Sequence, residues 1–266
     1  MGFLQFRWCR STFAPMKTIA FFSAKGGTGK TTFNLLLASW LHFQQGKHVA
    51  VLDFDAPEFN LSYTRKRELQ YLEKKEALPP DESLYPVLEI HDYKGRISRN
   101  EIHQMVEEAA TRLDYLIMDF GGSFDTGDPV LDMVQDGLLD LLVIPVELDG
   151  MILSSGKTLA TVLSKIGQRT LLFFNKVHGK EKPQLYTELE QWLGEDGLTV
   201  SPHRIKNTVK LRRDADNGSN FLRSSVSFPQ KEMEETNPEL IRLFEEVAGD
   251  GDRHPQNHPQ NQTQAD

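Results

Sequence analysis

The residue types best suited to chemistry in this chain form one loop, residues 23–32, with the sequence Ser-Ala-Lys-Gly-Gly-Thr-Gly-Lys-Thr-Thr. Apolar runs stand before and after it, which is the strand–loop–helix order that a phosphate-binding loop requires. Glycines let backbone N–H groups close on phosphate oxygens, and the helix N-terminus adds a positive dipole end. The pattern predicts that Lys30 reaches the β- and γ-phosphates of a nucleotide and that Thr31 binds Mg²⁺. The predicted nucleotide contacts are Gly26, Gly27, Thr28, Gly29, Lys30, Thr31 and Thr32.

Three aspartates follow other apolar runs and are candidates for work beside a bound phosphate. Asp119 comes directly after residues 115–118, where a strand-terminal carboxylate facing a phosphate loop is the expected Mg²⁺ partner. Asp53 and Asp55 stand two residues apart, so on an extended strand both point to the same face. Such a pair can divide its roles, one near the metal and one orienting an attacking water. Each aspartate could instead lie in a solvated turn or cap a helix.

The elements that must position these residues alternate between strand and helix patterns. Apolar runs at 18–22, 49–52, 87–90, 115–118, 139–146, 170–174 and 198–201 predict strands. Helical patterns cover 33–41, 65–75, 99–112, 153–166 and 184–193. Apolar runs without alternation indicate strands that are covered on both faces. The chain is therefore predicted to be α/β, a single domain whose mostly parallel, twisted sheet carries helices on both faces.

The length and composition of the chain exclude some classes of protein and indicate where the domain begins and ends. The chain has 266 residues, 39% of them hydrophobic, and no apolar run approaches the roughly 18 residues of a membrane helix. Its single cysteine excludes an intrachain disulfide and a Cys-rich metal site, as expected of a cytoplasmic protein. Residues 1–15 are predicted to be a flexible extension or to precede a second start at Met16. The domain is predicted to span 16–248, and 249–266, rich in Gln, Asn, Asp and Pro, to be a disordered polar tail.

A basic stretch contrasts with the acidic whole. The net charge is −8, yet residues 203–223 carry six full positive charges against two negative ones. A local basic patch on an acidic protein is typical of contact with a phosphate backbone, although a solvated helix face would look the same. The candidate DNA-binding residues are Arg204, Lys206, Lys210, Arg212 and Arg213.

The phosphate loop departs from the ordinary pattern, because Ala24 replaces its first glycine and Lys25 precedes the remaining ones. Lys-Gly-Gly-x-Gly-Lys-Thr resembles the deviant Walker A loop of the ParA/MinD family of dimeric ATPases. The resemblance covers roughly residues 16–248. Within the family, residues 35–43, 174–182, 221–225 and 228–229 are similar to the ParA-type proteins of conjugative transposons and plasmids, commonly called TraA.

This resemblance implies an ATPase that uses ATP and Mg²⁺ and dimerises when ATP is bound, with Lys25 crossing to the partner's nucleotide. It implies that Asp55 positions the attacking water, that Asp53 lies on the metal side and that Asn175 contacts the base. An amide suits that last role because it offers a donor and an acceptor. The implied partners are a second copy, non-specific DNA, and a centromere-binding or transfer-machinery protein. The implied role is partition or conjugative transfer of a mobile element.

Other functions share the loop. A MinD-like positioning ATPase that cycles on membranes would end in a basic amphipathic helix, whereas the last helical pattern here is rich in glutamate. A reductase of the nitrogenase iron-protein type needs several cysteines for its cluster. A ligase of the biotin pathway and a scaffold that binds ATP without hydrolysis remain as alternatives. We expect no membrane contact, and association with the nucleoid when ATP is bound.

Overall fold

The computed structural model describes residues 15–91, 98–124, 128–208, 211 and 223–249. Almost all of the predicted N-terminal extension and of the polar tail lies outside these residues. The described part is one α/β unit, as predicted, built on a sheet of six strands. The strands are β1 (Lys17–Phe21), β2 (Val49–Asp53), β3 (Val87–Glu89), β4 (Tyr115–Asp119), β5 (Leu141–Val146) and β6 (Thr170–Phe174).

All the neighbouring strands are parallel, and their order across the sheet is β3-β2-β4-β1-β5-β6. The central strand β1 pairs with β4 on one side and with β5 on the other. The connection that leaves β1 leads to β2, toward one edge of the sheet, whereas the connection that leaves its neighbour β5 leads to β6, toward the other edge. Ligands of open parallel sheets bind beyond the carboxyl ends of the strands where the order reverses. The phosphate loop leaves the sheet at that position.

Helices cover both faces because successive strand residues point to opposite sides. The helices are α1 (Lys30–Phe43), α2 (Asn60–Glu73), α3 (Arg99–Ala110), α4 (Pro129–Gln135), α5 (Gly150–Lys165), α6 (Pro183–Glu195), α7 (Gln230–Thr236) and α8 (Pro238–Ala248). Ile19 and Phe21 belong to a core cluster with α1, α2, α7 and α8, and Ala20 and Phe22 belong to a second cluster with α3 to α6.

Four elements differ from the sequence-based expectation. Helix α2 begins at Asn60, five residues before the predicted start, and α4 was not predicted. Residues 198–201 form one isolated bridge, from Val200 to Leu172, instead of a strand. The glutamate-rich segment near the C-terminus forms two helices that meet at Asn237, because Pro238 lacks the N–H that a continuous helix requires.

The last helix, α8, is part of the domain core. Its buried residues include Phe244, whose ring centroid lies 5.9 Å from that of Trp40 and 6.3 Å from that of Phe21. The Lys17 ammonium fixes the helix end by donating to the Val247 carbonyl at 2.8 Å. The apolar face of α8 is therefore occupied by the domain itself. No helix in the described ranges has the length and apolar content needed to cross a bilayer.

Helix α5 packs so closely on β5 that it requires a glycine. A Cβ added to Gly156 would lie 2.5 Å from Val146 Cγ1, a distance at which the helix or the strand must move. We expect Gly156→Ala to lower the free energy of unfolding by about 1–3 kcal/mol through overpacking. Gly194→Ala in α6 is the matched control, since a Cβ there meets nothing within 4 Å. Denaturant unfolding of both variants measures the difference, and equal stabilities would contradict the tight packing.

Candidate functional site

The phosphate loop connects β1 to α1 in a conformation that depends on two glycines. Gly27 and Gly29 have φ values of 76° and 94°, in the left-handed region that side chains disfavour. A Cβ on Gly29 would also lie 3.0 Å from the Phe33 ring. Helix α1 begins at Lys30, so its unpaired N–H groups face the cleft. The local sequence thus builds a loop closed around a space suited to an anion.

That space is a cleft of about 610 Å³ above the loop. The predicted loop contacts line it except Thr28, which is fully buried beneath. Residues from four other parts of the chain complete the walls: Asp55, Asn60, Asn175, Lys176, Lys206 and Arg223. Lys25 is not among the lining residues, and its side chain is exposed. The structure therefore brings most of the predicted nucleotide site together and leaves Lys25 at its outer edge.

Lys30 lies between the loop and two acidic side chains. Burial lowers the pKa of its ammonium, while the charges of Asp119 and Asp55 oppose that change. The chain after β4 passes close by: a Cβ on Gly122 would lie 3.3 Å from Lys30 Nζ, and one on Gly121 would lie 3.1 Å from Asp55 Oδ1. The glycines that follow Asp119 therefore let this loop approach both charged groups.

Asp119 is fully buried and one of its oxygens lacks a partner. Asn34 Nδ2 donates to Oδ1 at 2.7 Å, whereas Oδ2 is buried and makes no hydrogen bond to the part of the chain that the structure describes. Burial raises the pKa of Asp119 to about 7, with the nearby Asp53 charge adding to the effect and the Asn34 and Thr31 side chains opposing it. A buried carboxylate oxygen next to a hydroxyl fits the all-oxygen ligand preference of Mg²⁺.

Asp53 and Asp55 occupy different environments, contrary to the expectation that both point to one face. Strand β2 ends at Asp53, so the alternation that would align the two side chains does not continue. Asp53 is fully buried, its pKa is raised by burial, and its Oδ2 accepts from the Ser62 backbone N–H at 3.0 Å. It therefore anchors the first turn of α2. Asp55 lines the cleft and accepts from Asn60 Nδ2 at 2.7 Å.

Asn175 holds the phosphate loop from the end of β6. Its Nδ2 donates to the Thr28 carbonyl at 2.8 Å, and its Oδ1 accepts from the Lys176 backbone N–H at 2.8 Å. Both ends of the amide thus bind the protein backbone, so its contact with a base stays a prediction. Lys176 adds a second tie, because its ammonium donates to the Gly27 carbonyl at 2.7 Å and pairs with Glu147 at 2.6 Å.

The candidate DNA-binding residues are only partly described. Arg204 is engaged with Glu190, which accepts from both Nε and Nη2 at 2.7 Å. This bidentate pair holds the guanidinium against α6. Lys206 is exposed at the rim of the cleft. The other three candidates, Lys210, Arg212 and Arg213, lie outside the described residues.

Asn34 was missed by the sequence analysis because it falls inside the apolar run of α1. It is fully buried, and besides Asp119 it bonds to both backbone groups of Phe21, at 2.8 Å to the N–H and 3.2 Å to the carbonyl. The signal in the sequence is a lone amide one helical turn after Lys30, on the side that faces the sheet. Asn34 thus connects α1 to β1 and to the Asp119 carboxylate at the end of β4.

Comparison with known protein families identifies the family to which the chain belongs. The family model of ParA, described as the NUBPL iron-transfer P-loop NTPase, matches residues 15–180, more than half of the chain. The chain belongs to this family. Among curated proteins, no sequence matches the chain.

Solved structures of ParA and MinD proteins share the fold. A chain of the MinC:MinD cell division protein complex of Aquifex aeolicus has a TM-score of 0.64 at 18% identity, with 90% of this chain and 98% of that one covered. A ParA family ATPase of Chlorobium tepidum scores 0.59 at 18% identity, with 87% and 98% covered. The pNOB8 ParA bound to nonspecific DNA scores 0.57 at 16% identity, with 87% and 99% covered. At these identities the likeness establishes the fold alone.

The three bonds of Asn34 predict a large cost for its removal. Asn34→Ala leaves the Asp119 carboxylate and two Phe21 backbone groups without this partner in a buried place. We expect the free energy of unfolding to fall by about 1–3 kcal/mol, the cost of buried polar groups left unpaired. Asn60→Ala is the control, because its amide is exposed and its loss costs roughly 0.5 kcal/mol or less. Urea unfolding that shows equal losses in both variants contradicts the role of Asn34.

Proposed function

We propose that this ParA-family protein is a Mg²⁺-dependent ATPase that dimerises on ATP and binds DNA without sequence preference. The observation that carries the proposal is the buried Asp119 Oδ2, which has no hydrogen-bond partner among the described residues and lies beside the loop that ends in Lys30 and Thr31. Thr31 and Asp119 would hold the metal, which supplies positive charge opposite the phosphates during phosphoryl transfer. Asp53 and Asp119 are buried whereas Asp55 is half-buried, and this difference in burial suits the three carboxylates to different roles.

Asp55 is the group in the cleft that suits the attacking water. Its carboxylate is half-buried, lies near Lys30, and is oriented by the Asn60 amide. A carboxylate in this place would accept a hydrogen bond from a water molecule and so orient the oxygen of that water toward the terminal phosphate. Lys30 binds the phosphate charge that develops as the bond to the leaving group breaks. Asp53, which bonds to the first turn of α2, keeps the chain between β2 and α2 in position. Its charge also acts on Asp119, which would hold the metal.

Lys25 supports the dimerisation step. Within one subunit, the loop N–H groups and Lys30 would already bind the phosphates of the nucleotide. Lys25 is exposed outside the cleft, and no described side chain pairs with its ammonium. We infer that the loop is the deviant form and that Lys25 reaches the nucleotide of a second copy. ATP supplies the negative charge that attracts it, and hydrolysis removes part of that charge.

The cellular role that we propose is partition or conjugative transfer of a mobile element, in the manner of the TraA-type proteins. The fold shared with the DNA-bound pNOB8 ParA supports nucleoid association, and so does the basic stretch that includes Lys206. Iron transfer, named in the description of the family model, has less support. The single cysteine, Cys9, cannot supply the several thiolates of an iron–sulfur cluster, and the described ranges contain no group of three or more His, Cys, Asp or Glu side chains that could hold a metal ion.

The dimerisation proposal is tested by Lys25→Ala. This variant should bind ATP with nearly wild-type affinity, because Lys25 lies outside the cleft of its own subunit. It should lose ATP-dependent dimerisation and at least about 10²-fold in turnover, since a cation that neutralises phosphate charge is missing. Light scattering with ATP and with ADP, together with phosphate release in the presence of DNA, gives both readouts.

Lys47→Ala is the matched control, because it removes an exposed lysine from the turn at the far end of α1. It should behave as wild type in both assays. A Lys25→Ala variant that dimerises and hydrolyses ATP normally would refute the interfacial role.

DNA binding should be salt-dependent and indifferent to sequence. Each phosphate contact releases about 0.9 counterion, so the logarithm of affinity falls linearly with the logarithm of salt concentration. We expect Lys206→Gln to reduce that slope by about one unit, and Arg204→Gln to change it less because Glu190 already holds that guanidinium. Fluorescence anisotropy with two unrelated duplexes across a salt series is the measurement. Strong preference for one duplex, or an unchanged slope in Lys206→Gln, contradicts the proposal.

A further inference from the structure

Lys176 reaches the phosphate loop from a backbone conformation that residues with a side chain adopt rarely. Its φ is 54°, in the left-handed region, two residues after the end of β6. Bonds on both sides impose this conformation. The Asn175 N–H donates to the Val146 carbonyl at 2.7 Å, which fixes the residue before it. The Val177 N–H donates to the Ile205 carbonyl at 2.9 Å, which fixes the residue after it. Strained residues that their surroundings hold in place are concentrated at functional sites.

The ammonium of Lys176 makes two contacts of different kinds. It donates to the Gly27 carbonyl at 2.7 Å, and it pairs with the Glu147 carboxylate at 2.6 Å. Only 15% of the Glu147 side chain is exposed, so water screens this pair weakly. Because the carboxylate balances the charge of the ammonium, the effect of Lys176 on the cleft comes more from the bond to the carbonyl than from net charge.

Lys176 and Asn175 together hold two successive peptide groups of the phosphate loop. Lys176 binds the Gly27 carbonyl, and the Asn175 amide binds the Thr28 carbonyl at 2.8 Å. Both peptides are trans, and in a trans peptide the carbonyl and the N–H point in opposite directions. The N–H groups of Thr28 and Gly29 are therefore directed away from the two side chains. Within the part of the chain that the structure describes, neither N–H donates to a protein group.

The orientation of these peptides decides whether the loop attracts or repels an anion. An N–H that faces the inside of the loop attracts a phosphate oxygen, whereas a carbonyl in the same place repels it. Glycine adopts either sign of φ, and a Cβ on Gly27 would meet nothing within 4 Å, so packing around Gly27 does not prevent its peptide from rotating. A bond to the carbonyl is what holds the peptide in one orientation.

We propose that Lys176 is a positioning residue for the nucleotide site, which holds the Gly27 carbonyl outside the loop and thereby keeps the N–H of the same peptide turned toward the phosphates. Glu147 orients the ammonium for this bond, and Asn175 holds the next peptide in the same way. Lys176 thus acts through the loop and does not bind the nucleotide itself. This inference rests on the proposed function of the cleft in nucleotide binding.

The test measures the affinity of the full chain for ADP and for ATP by calorimetry, without DNA. The loop N–H groups bind the phosphates that both nucleotides carry. Lys176→Met should therefore weaken the binding of both by the same factor, about 10-fold. Lys176→Arg keeps a donor for the Gly27 carbonyl and should recover most of the affinity. Lys180→Met is the matched control, because it removes an exposed lysine from the same connection between β6 and α6, and it should bind both nucleotides as wild type does.

Lys176→Gly separates positioning from stability. Glycine adopts a φ of 54° without strain, so this variant should unfold at a temperature no lower than that of Lys176→Met. It lacks the ammonium all the same, and its affinity for ADP should be as low as that of Lys176→Met. A merely structural role would instead make the affinity follow the stability, with Lys176→Gly binding ADP as wild type does, and that result would overturn the proposal.

The remaining outcomes distinguish this inference from the proposed function. If the wild-type chain binds neither ADP nor ATP, both fail. If the wild type binds both nucleotides and Lys176→Met binds them equally well, only the inference fails. A loss in Lys176→Met that is much larger for ATP than for ADP, and that shrinks at high salt, would show that the ammonium contacts the terminal phosphate directly, which also overturns the inference.

Discussion

The site depends on one buried contact, the hydrogen bond from Asn34 to Asp119. Asn34 bonds to the N–H and the carbonyl of Phe21, the last residue of β1, as well as to the carboxylate that ends β4. It thereby sets the distance between the helix that carries Lys30 and the strand that carries Asp119. Burial disfavours the charged form of this carboxylate and raises the pKa of Asp119 accordingly. In the proposed function a cation at Oδ2 would reduce that cost, and Asn34 would hold the carboxylate in place for it.

The acidic residues around this contact differ in function because they differ in burial. Asp119 is buried and incompletely bonded, Asp53 is buried and bonded to the start of α2, and Asp55 is half-buried in the cleft. Burial with full hydrogen bonding makes a structural anchor, whereas burial with one unpaired oxygen favours a metal ligand.

Sequence patterns predicted the sheet because its strands are short, mostly apolar runs, two of which, β2 and β4, end in an aspartate. The sequence also predicted that the loop glycines and Lys30 lie together at one site, because their spacing is that of a phosphate-binding loop. The start of α2 was not predicted, since its first turn bonds to a side chain outside the helix, where the Ser62 N–H donates to the Asp53 carboxylate. Asn34 was concealed by its apolar neighbours. Arg223 was counted with a basic stretch, and only the fold shows that the residues after it, Ser224 and Ser225, are bonded to Arg65 and Glu68 of α2.

The central claim is that Lys30 and Asp119 together hold a nucleotide and its metal. The most direct measurement is ATP affinity by calorimetry with and without Mg²⁺, in the wild-type chain and in Asp119→Asn, which keeps the size of the side chain. We predict that Mg²⁺ strengthens ATP binding in the wild type, and that Asp119→Asn retains the Mg²⁺-free affinity through Lys30 but loses that enhancement. An enhancement of equal size in both proteins, or no ATP binding by the wild type, would contradict the account.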